Sequence, residues 1–174
     1  HLEGMPNFVE HPTHVISESG RWSQIAALEN VDANSVVVIA EGHSVIFDVE
    51  GVTLQALGVS GELRFAADVD TRLTVQELIV FDSGYLEVGT AEAPIARGVR
   101  AEIVIGDRPL DAVDDPAQYG NGIIVLGKIR LHGQSLESTF AALTASPRAG
   151  DTLLRVSAVP QGWRVGDVIA IPQT

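Results

Sequence analysis

The sequence predicts an all-β fold: a right-handed parallel β-helix, that is, a solenoid of roughly 22-residue coils with a short N-terminal capping helix. Composition, alternation and repetition each point there. Of 174 residues, 45% are hydrophobic but only 5% aromatic, so the core has to be built from Val, Ile, Leu and Ala. Val and Ile are stiff at the first side-chain torsion and pack well on pleated surfaces. The 17 glycines supply turns for many short strands. In "GELRF" at 61–65, Leu63 and Phe65 fall on one face with Arg64 between them, the period of a half-buried strand. The phrase returns 66 residues later as "GKIRL" at 127–131. Glycines at 42, 61, 84, 106, 127 and 150 stand 19 to 23 residues apart. Recurrence at that period means one supersecondary unit stacked on copies of itself, each presenting the same inward face.

Along the chain, residues 1–18 read as a polar leader whose opening "HLEG" has the composition of a tag remnant. A single domain is expected over 19–174. It starts with "SGRWSQIAALEN" at 19–30, where Ser19 or Ser23 is placed to cap a short helix carrying Trp22, Ile25 and Leu28 on nearly one face. Such a cover is needed because the bare end of a solenoid exposes its core and a hydrogen-bonding edge. "VTLQALGV" at 52–59 and "LTVQELIV" at 73–80 align as strands, which sets Leu57 over Leu78, Val59 over Val80 and Leu63 near Leu86. "GDRPLDAVDDPAQYGNG" at 106–122 is polar and rich in Pro and Asp, a loop outside the ladder. "WRVGDVIAIPQT" finishes on a strand, with Asp167 closing the turn before it, as expected of a piece excised from a longer protein. A β-sandwich competes for these short strands, but it calls for frequent hairpin turns, and only "YGNGIIV" at 119–125 offers one.

The net charge is −12, from 23 acidic and 11 basic residues. Such a surface repels phosphate backbones, and the ten Arg and single Lys (Lys128) are scattered, so nucleic acid is not an expected partner. There is no cysteine, hence no disulfide framework, zinc-thiolate site or thiol nucleophile. No apolar run reaches membrane-spanning length and no signal peptide stands in the sequence, so membrane insertion is not expected.

Several fragments together resemble the eight-glycine, or G8, domain: "VVVIAEGHSVIFD", "LQALGVSGELRF", "GYLEVGT", "AEIVIGD", "GKIRLHG" and "GWRVGDVIAIPQT". The likeness runs from about Trp22 to Thr174. The family often sets Trp after the His-Gly turn; here "STFAAL" offers Phe140 and Leu143, which reads as a conservative core change. The resemblance implies an extracellular, secreted or cell-surface β-rich domain, found in hyaluronan-processing surface proteins, fibrocystin-like receptors and bacterial secreted proteins. There it usually precedes further parallel β-helix sequence. It brings no established catalytic residues to this chain. The lack of Cys and the preference for Arg over Lys are more bacterial than animal in character.

Candidate chemistry is sparse. His132 in "RLHGQ" is the one catalytic candidate, an imidazole at a coil corner able to move a proton, although a ring bonded to a turn serves equally well. His43 in "EGHSV" sits likewise at a bend. With Arg64 and Arg130, which are set to stack on one face, it forms the ligand-binding candidates. Asp107, Asp111, Asp114 and Asp115 crowd one loop and are candidates for a Ca²⁺ site, against the plainer reading of turn-forming Asp on a solvated loop. Glu62, Arg64, Glu87, Lys128 and Arg130 are expected to point outward as sheet charges. No nucleophile elbow or phosphate loop is present. The expected function is therefore a non-catalytic module, scaffold and cap of a larger secreted protein, contacting carbohydrate or downstream domains of the same chain. Part of a glycan-degrading enzyme, and an adhesion segment, are the alternatives.

Overall fold

The computed structural model describes residues 11–107, 109, 113, 119–134 and 136–171. Eleven strands are described: β1 (His14–Ile16), β2 (Gly20–Arg21), β3 (Val36–Ile39), β4 (Ser44–Phe47), β5 (Glu50–Val59), β6 (Glu62–Phe65), β7 (Thr71–Val80), β8 (Tyr85–Val88), β9 (Ala101–Ile105), β10 (Gly122–Val125) and β11 (Lys128–Leu131). The first sheet runs β1-β3-β5-β7-β10, with β9 also paired to β7; the second runs β11-β8-β6-β4-β2. From β1 to β8 the chain visits the two sheets in turn, and every strand pair is parallel. Antiparallel hairpins, the requirement of a sandwich, do not build these sheets.

The inward columns stack as the alternation predicts. Leu57 pairs with Leu78 and Val59 with Val80, 21 residues apart, while Leu63 pairs with Leu86, 23 apart. All six are fully buried. Along the second sheet Phe47 pairs with Phe65 and Phe65 with Val88. The Trp22 ring closes this column edge-on over Phe47, with centroids 5.1 Å apart, and Phe47 lies 4.8 Å from Phe65.

The glycines that open β6, β8 and the β10–β11 turn have a steric reason. A Cβ on Gly61 would run into the carbonyl oxygens of His43 and Ala40; on Gly84, into that of Val59; on Gly127, into those of Phe81 and Gly84. At each corner the backbone instead bonds the preceding repeat: Gly61 N–H to Ile39 O at 3.1 Å and Gly127 N–H to Val80 O at 3.2 Å. Gly106 is not a rung of this ladder. It follows β9, donates to Val75 O at 2.9 Å, and leaves Gly127 directly against Gly84. The repeat near 22 residues therefore doubles here: Leu78 pairs with Ile123, 45 residues on, and Leu86 with Ile129, 43 on. The reason is an excursion in which, among the described residues, only β9 pairs, and only with the first half of β7.

The expected N-terminal capping helix is absent: among the described residues there is no α-helix. Residues 19–30 instead hold two 3₁₀ turns, Trp22–Gln24 and Ala26–Leu28, neither capped by a side chain. Both serines are engaged elsewhere. The Ser19 hydroxyl accepts the Ser44 N–H at 2.9 Å, and the Ser23 hydroxyl donates to Asp48 at 2.8 Å. Trp22, Ile25 and Leu28 are nonetheless buried. Within the segment read as a leader, β1 pairs with β3 and buries Ile16.

The chain divides into two compact units, His1–Gly133 and Gln134–Thr174. Among its described residues the second has one isolated antiparallel bridge, Leu143 to Val156, and turns closed by bonds such as Arg164 N–H to Asp167 Oδ2 at 2.7 Å. The strand expected over its last residues does not form among the described ones; Val168, Ile169 and Ile171 are exposed. Phe140 and Leu143, read as core, are exposed too.

Candidate functional site

β6, β8 and β11 have the same alternation and lie side by side, so their outward residues form two rows. Glu62, Tyr85 and Lys128 share one register; Arg64, Glu87 and Arg130 share the next. With Asp82, Ser83 and Gly84 from the turn before β8, these side chains line a shallow cleft of about 650 Å³.

The cleft is internally wired around Glu87. Arg64 Nη2 lies 2.9 Å from Glu62 Oε2, and Arg64 Nε lies 4.0 Å from Glu87 Oε1. The Arg64 guanidinium carbon stands 5.9 Å from the centre of the Tyr85 ring, within cation–π range. The Tyr85 hydroxyl donates a hydrogen bond to Glu87 Oε2. That bond is the main reason the Tyr85 pKa is raised above 10.0, because ionisation would forfeit it; burial and the Glu87 charge add to it, while Arg130 and Arg64 pull the other way. At neutral pH the phenol is a hydrogen-bond donor and a poor base. The floor of the cleft is set by the turn: Ser83 N–H donates to Asp82 Oδ1 at 3.0 Å and the Ser83 hydroxyl to Ser60 O at 2.9 Å.

Two of the residues singled out in the sequence meet here. Arg64 and Arg130 occupy one row, separated by Glu87. The two histidines do not line the cleft. His43 lies in the β3–β4 turn, where its N–H donates to Ala40 O at 3.3 Å and its carbonyl accepts Glu62 N–H at 2.8 Å. His132 follows β11; its N–H donates to Val88 O at 2.7 Å and its carbonyl accepts Ile95 N–H at 3.1 Å. Its buried Nδ1 has no hydrogen-bond partner among the described residues. Asp107 is exposed just after β9, whereas Asp111, Asp114 and Asp115 lie outside the described residues. Among the described residues no three His, Asp or Glu side chains converge as a metal site. Tyr85, Asp82 and Ser83 escaped the sequence reading. The available signal was positional: in "SGYLEV" Tyr85 follows Gly84 as Glu62 follows Gly61 and Lys128 follows Gly127, so it had to share their outward register.

Human fibrocystin-L is 26% identical over 145 residues, covering 82% of this chain and 3% of that protein. Mouse fibrocystin is 28% identical over 145 residues, covering 80% of this chain and 3% of that protein. Dog fibrocystin is 24% identical over 188 residues, covering 97% and 4%. The chain thus spans only a few hundredths of the length of these relatives. No solved structure matches it significantly. The sequence profile described as the G8 domain matches residues 22–144, most of the chain, and the protein belongs to that family.

Proposed function

We propose that this chain is a non-catalytic extracellular module that acts as scaffold and cap of a larger secreted protein. Its strands from β1 to β11 wind as a right-handed parallel β-helix. The observation that carries the reading is the inequality of the two ends of the stack. Trp22, Ile25 and Leu28 close one end and are buried. At the other, Ile123, Val125, Ile129 and Leu131 continue the inward columns yet are 38–61% exposed. Exposed apolar rungs in register suit a module built to carry more β structure. The outer cleft of the second sheet, with Tyr85 among fixed donors and acceptors, is the surface offered to carbohydrate or to a partner domain.

A glycan-degrading enzyme is the second reading, favoured by the convergence of Tyr85, Glu87, Arg64 and Arg130 in one cleft. The raised phenol pKa counts against Tyr85 as a base at neutral pH. Incubation with hyaluronan and with neutral glycans, followed by chain-length analysis, separates the two. The module reading expects no shortening; shortening that disappears in Glu87→Gln or His132→Ala would overturn it.

A further inference from the structure

The free edge of the second sheet specifies a partner more narrowly. β11 is the last strand of that sheet. Lys128 N–H at its start and His132 N–H just past its end donate to Gly84 O at 3.0 Å and Val88 O at 2.7 Å. In a parallel ladder this turns the backbone groups of Lys128, Arg130 and His132 toward β8, and those of Ile129 and Leu131 away from it. No strand among the described residues pairs with that outer side. On the inward face, Ile129 and Leu131 extend columns whose previous rungs, Leu86 and Val88, are buried, but are themselves 38% and 61% exposed. On the outward face one row alternates in charge, Arg64, Glu87, Arg130, while the other runs from Glu62 through the neutral Tyr85 to Lys128. Both rows end at the edge on a cation, and neither Lys128 nor Arg130 has a carboxylate within ion-pair distance among the described residues.

We infer that the β11 edge takes up one further parallel strand that alternates acidic and apolar residues, its acidic side chains beside Lys128 and Arg130 and its apolar ones beside Ile129 and Leu131. The inference deepens the scaffold reading by naming the chemistry of what the scaffold carries. Only such a strand answers all three features at once: unpaired backbone, exposed apolar rungs and unpaired cations. An acidic saccharide would meet the cations and leave the backbone and the apolar rungs bare. A second copy joined edge to edge about a two-fold axis would oppose Lys128 and Arg130 to each other's cations. Joined head to tail it would bring β2, whose outward Arg21 shares the register of Arg130 and already holds Asp48, and so would set cation against cation with no free carboxylate for Arg130.

The test uses the whole chain and three fluorescent probes: a short peptide alternating Glu and Val with polar flanks, its Lys–Val counterpart, and a uronate oligosaccharide of similar charge. The net charge of −12 by itself favours the Lys–Val peptide. The expected result is the reverse, tighter binding of Glu–Val by about tenfold for two matched cross-strand pairs. Backbone amide shifts should centre on Ile129 and Leu131. The exposed double variant Lys128→Glu/Arg130→Glu should invert the preference. Equal or better binding of Lys–Val, shifts centred away from β11, binding of the oligosaccharide alone, or sedimentation as a dimer through this edge would each overturn the inference. None of these outcomes bears on the glycan-shortening assay, so the two readings fail separately.

Discussion

Asp48 ties the N-terminal cover to the stack. Its carboxylate accepts the Ser23 N–H at 3.0 Å and the Ser23 hydroxyl at 2.8 Å, and meets Arg21 Nη1 at 3.3 Å. Partial burial opposes its charge, but the Ser23 and Arg21 contacts outweigh this and its pKa is lowered from 3.8. A depressed folded pKa gives stability that is present above the unfolded value and is lost as pH falls through the folded one. Asp48→Asn is therefore expected to lower stability by about 1–2 kcal/mol at pH 7. Urea melts at a series of pH values should show the gap to wild type closing only below 3.8. Tyr85 supplies the opposite sign. Its raised pKa means that the Tyr85–Glu87 bond contributes below pH 10.0 and is lost as pH rises through the higher folded value. Alkaline difference spectra, with Tyr85→Phe as reference, should place its ionisation above 10.0; a midpoint at or below that value would sever it from Glu87. Neither residue was legible as an anchor in the sequence. Asp48 acts on Ser23, 25 positions earlier, and that meeting exists only once β2 lies beside β4.

The elements that could be read from the sequence are those whose burial comes from their own repeats. Leu57, Val59 and Leu63 meet Leu78, Val80 and Leu86 because each repeat supplies the partner of the next. Where the partner is not a repeat, the reading failed. Gly106 has the right spacing but follows a strand that occupies the first half of β7, and only the fold reveals this excursion. Phe140 and Val168 look like core residues by type, yet are 77% and 98% exposed. Residues 19–30 have helical spacing, but Asp48 and Ser44 take the serines that would have capped a helix. The corner glycines lend themselves to a direct test. Gly84→Ala sets a methyl against the Val59 carbonyl, a backbone atom that cannot swing aside, and should cost about 3 kcal/mol. Gly133→Ala, with nothing within 4 Å of the added atom, should stay within about 0.5 kcal/mol. Equal effects in denaturant melts would mean that close approach is not what holds glycine at these corners. In the aromatic column, Phe47→Ala should cost about 3–5 kcal/mol, since the ring is fully buried between Trp22 and Phe65.

At the scale of the first unit, stability has to be distributed along the stack axis. Each strand bonds only its neighbours in the sheet, so a parallel stack behaves almost as a one-dimensional array, firmest where both neighbours are present. β5 and β7 satisfy this best: they pair with each other along most of their length, with β3 on one side and β9 and β10 on the other. Among the described residues β11 has a neighbour on one side only, and its four residues are all exposed. Opening β11 exposes little apolar surface that is not already wet, whereas opening β7 strips Leu73, Val75, Leu78 and Val80, all fully buried. Native-state hydrogen exchange should therefore rank the amides of Leu57 and Leu78 at or near the global unfolding limit and those of β11 well below it. Added denaturant should merge the central amides into one exchange class while β11 stays separate. Binding of a strand at the β11 edge should raise protection there first, because the new ladder gives that strand its second neighbour. Uniform protection from β3 to β11 in the free chain would mean that the stack unfolds as a single cooperative block, and that the exposed rungs at its far end are no weak point.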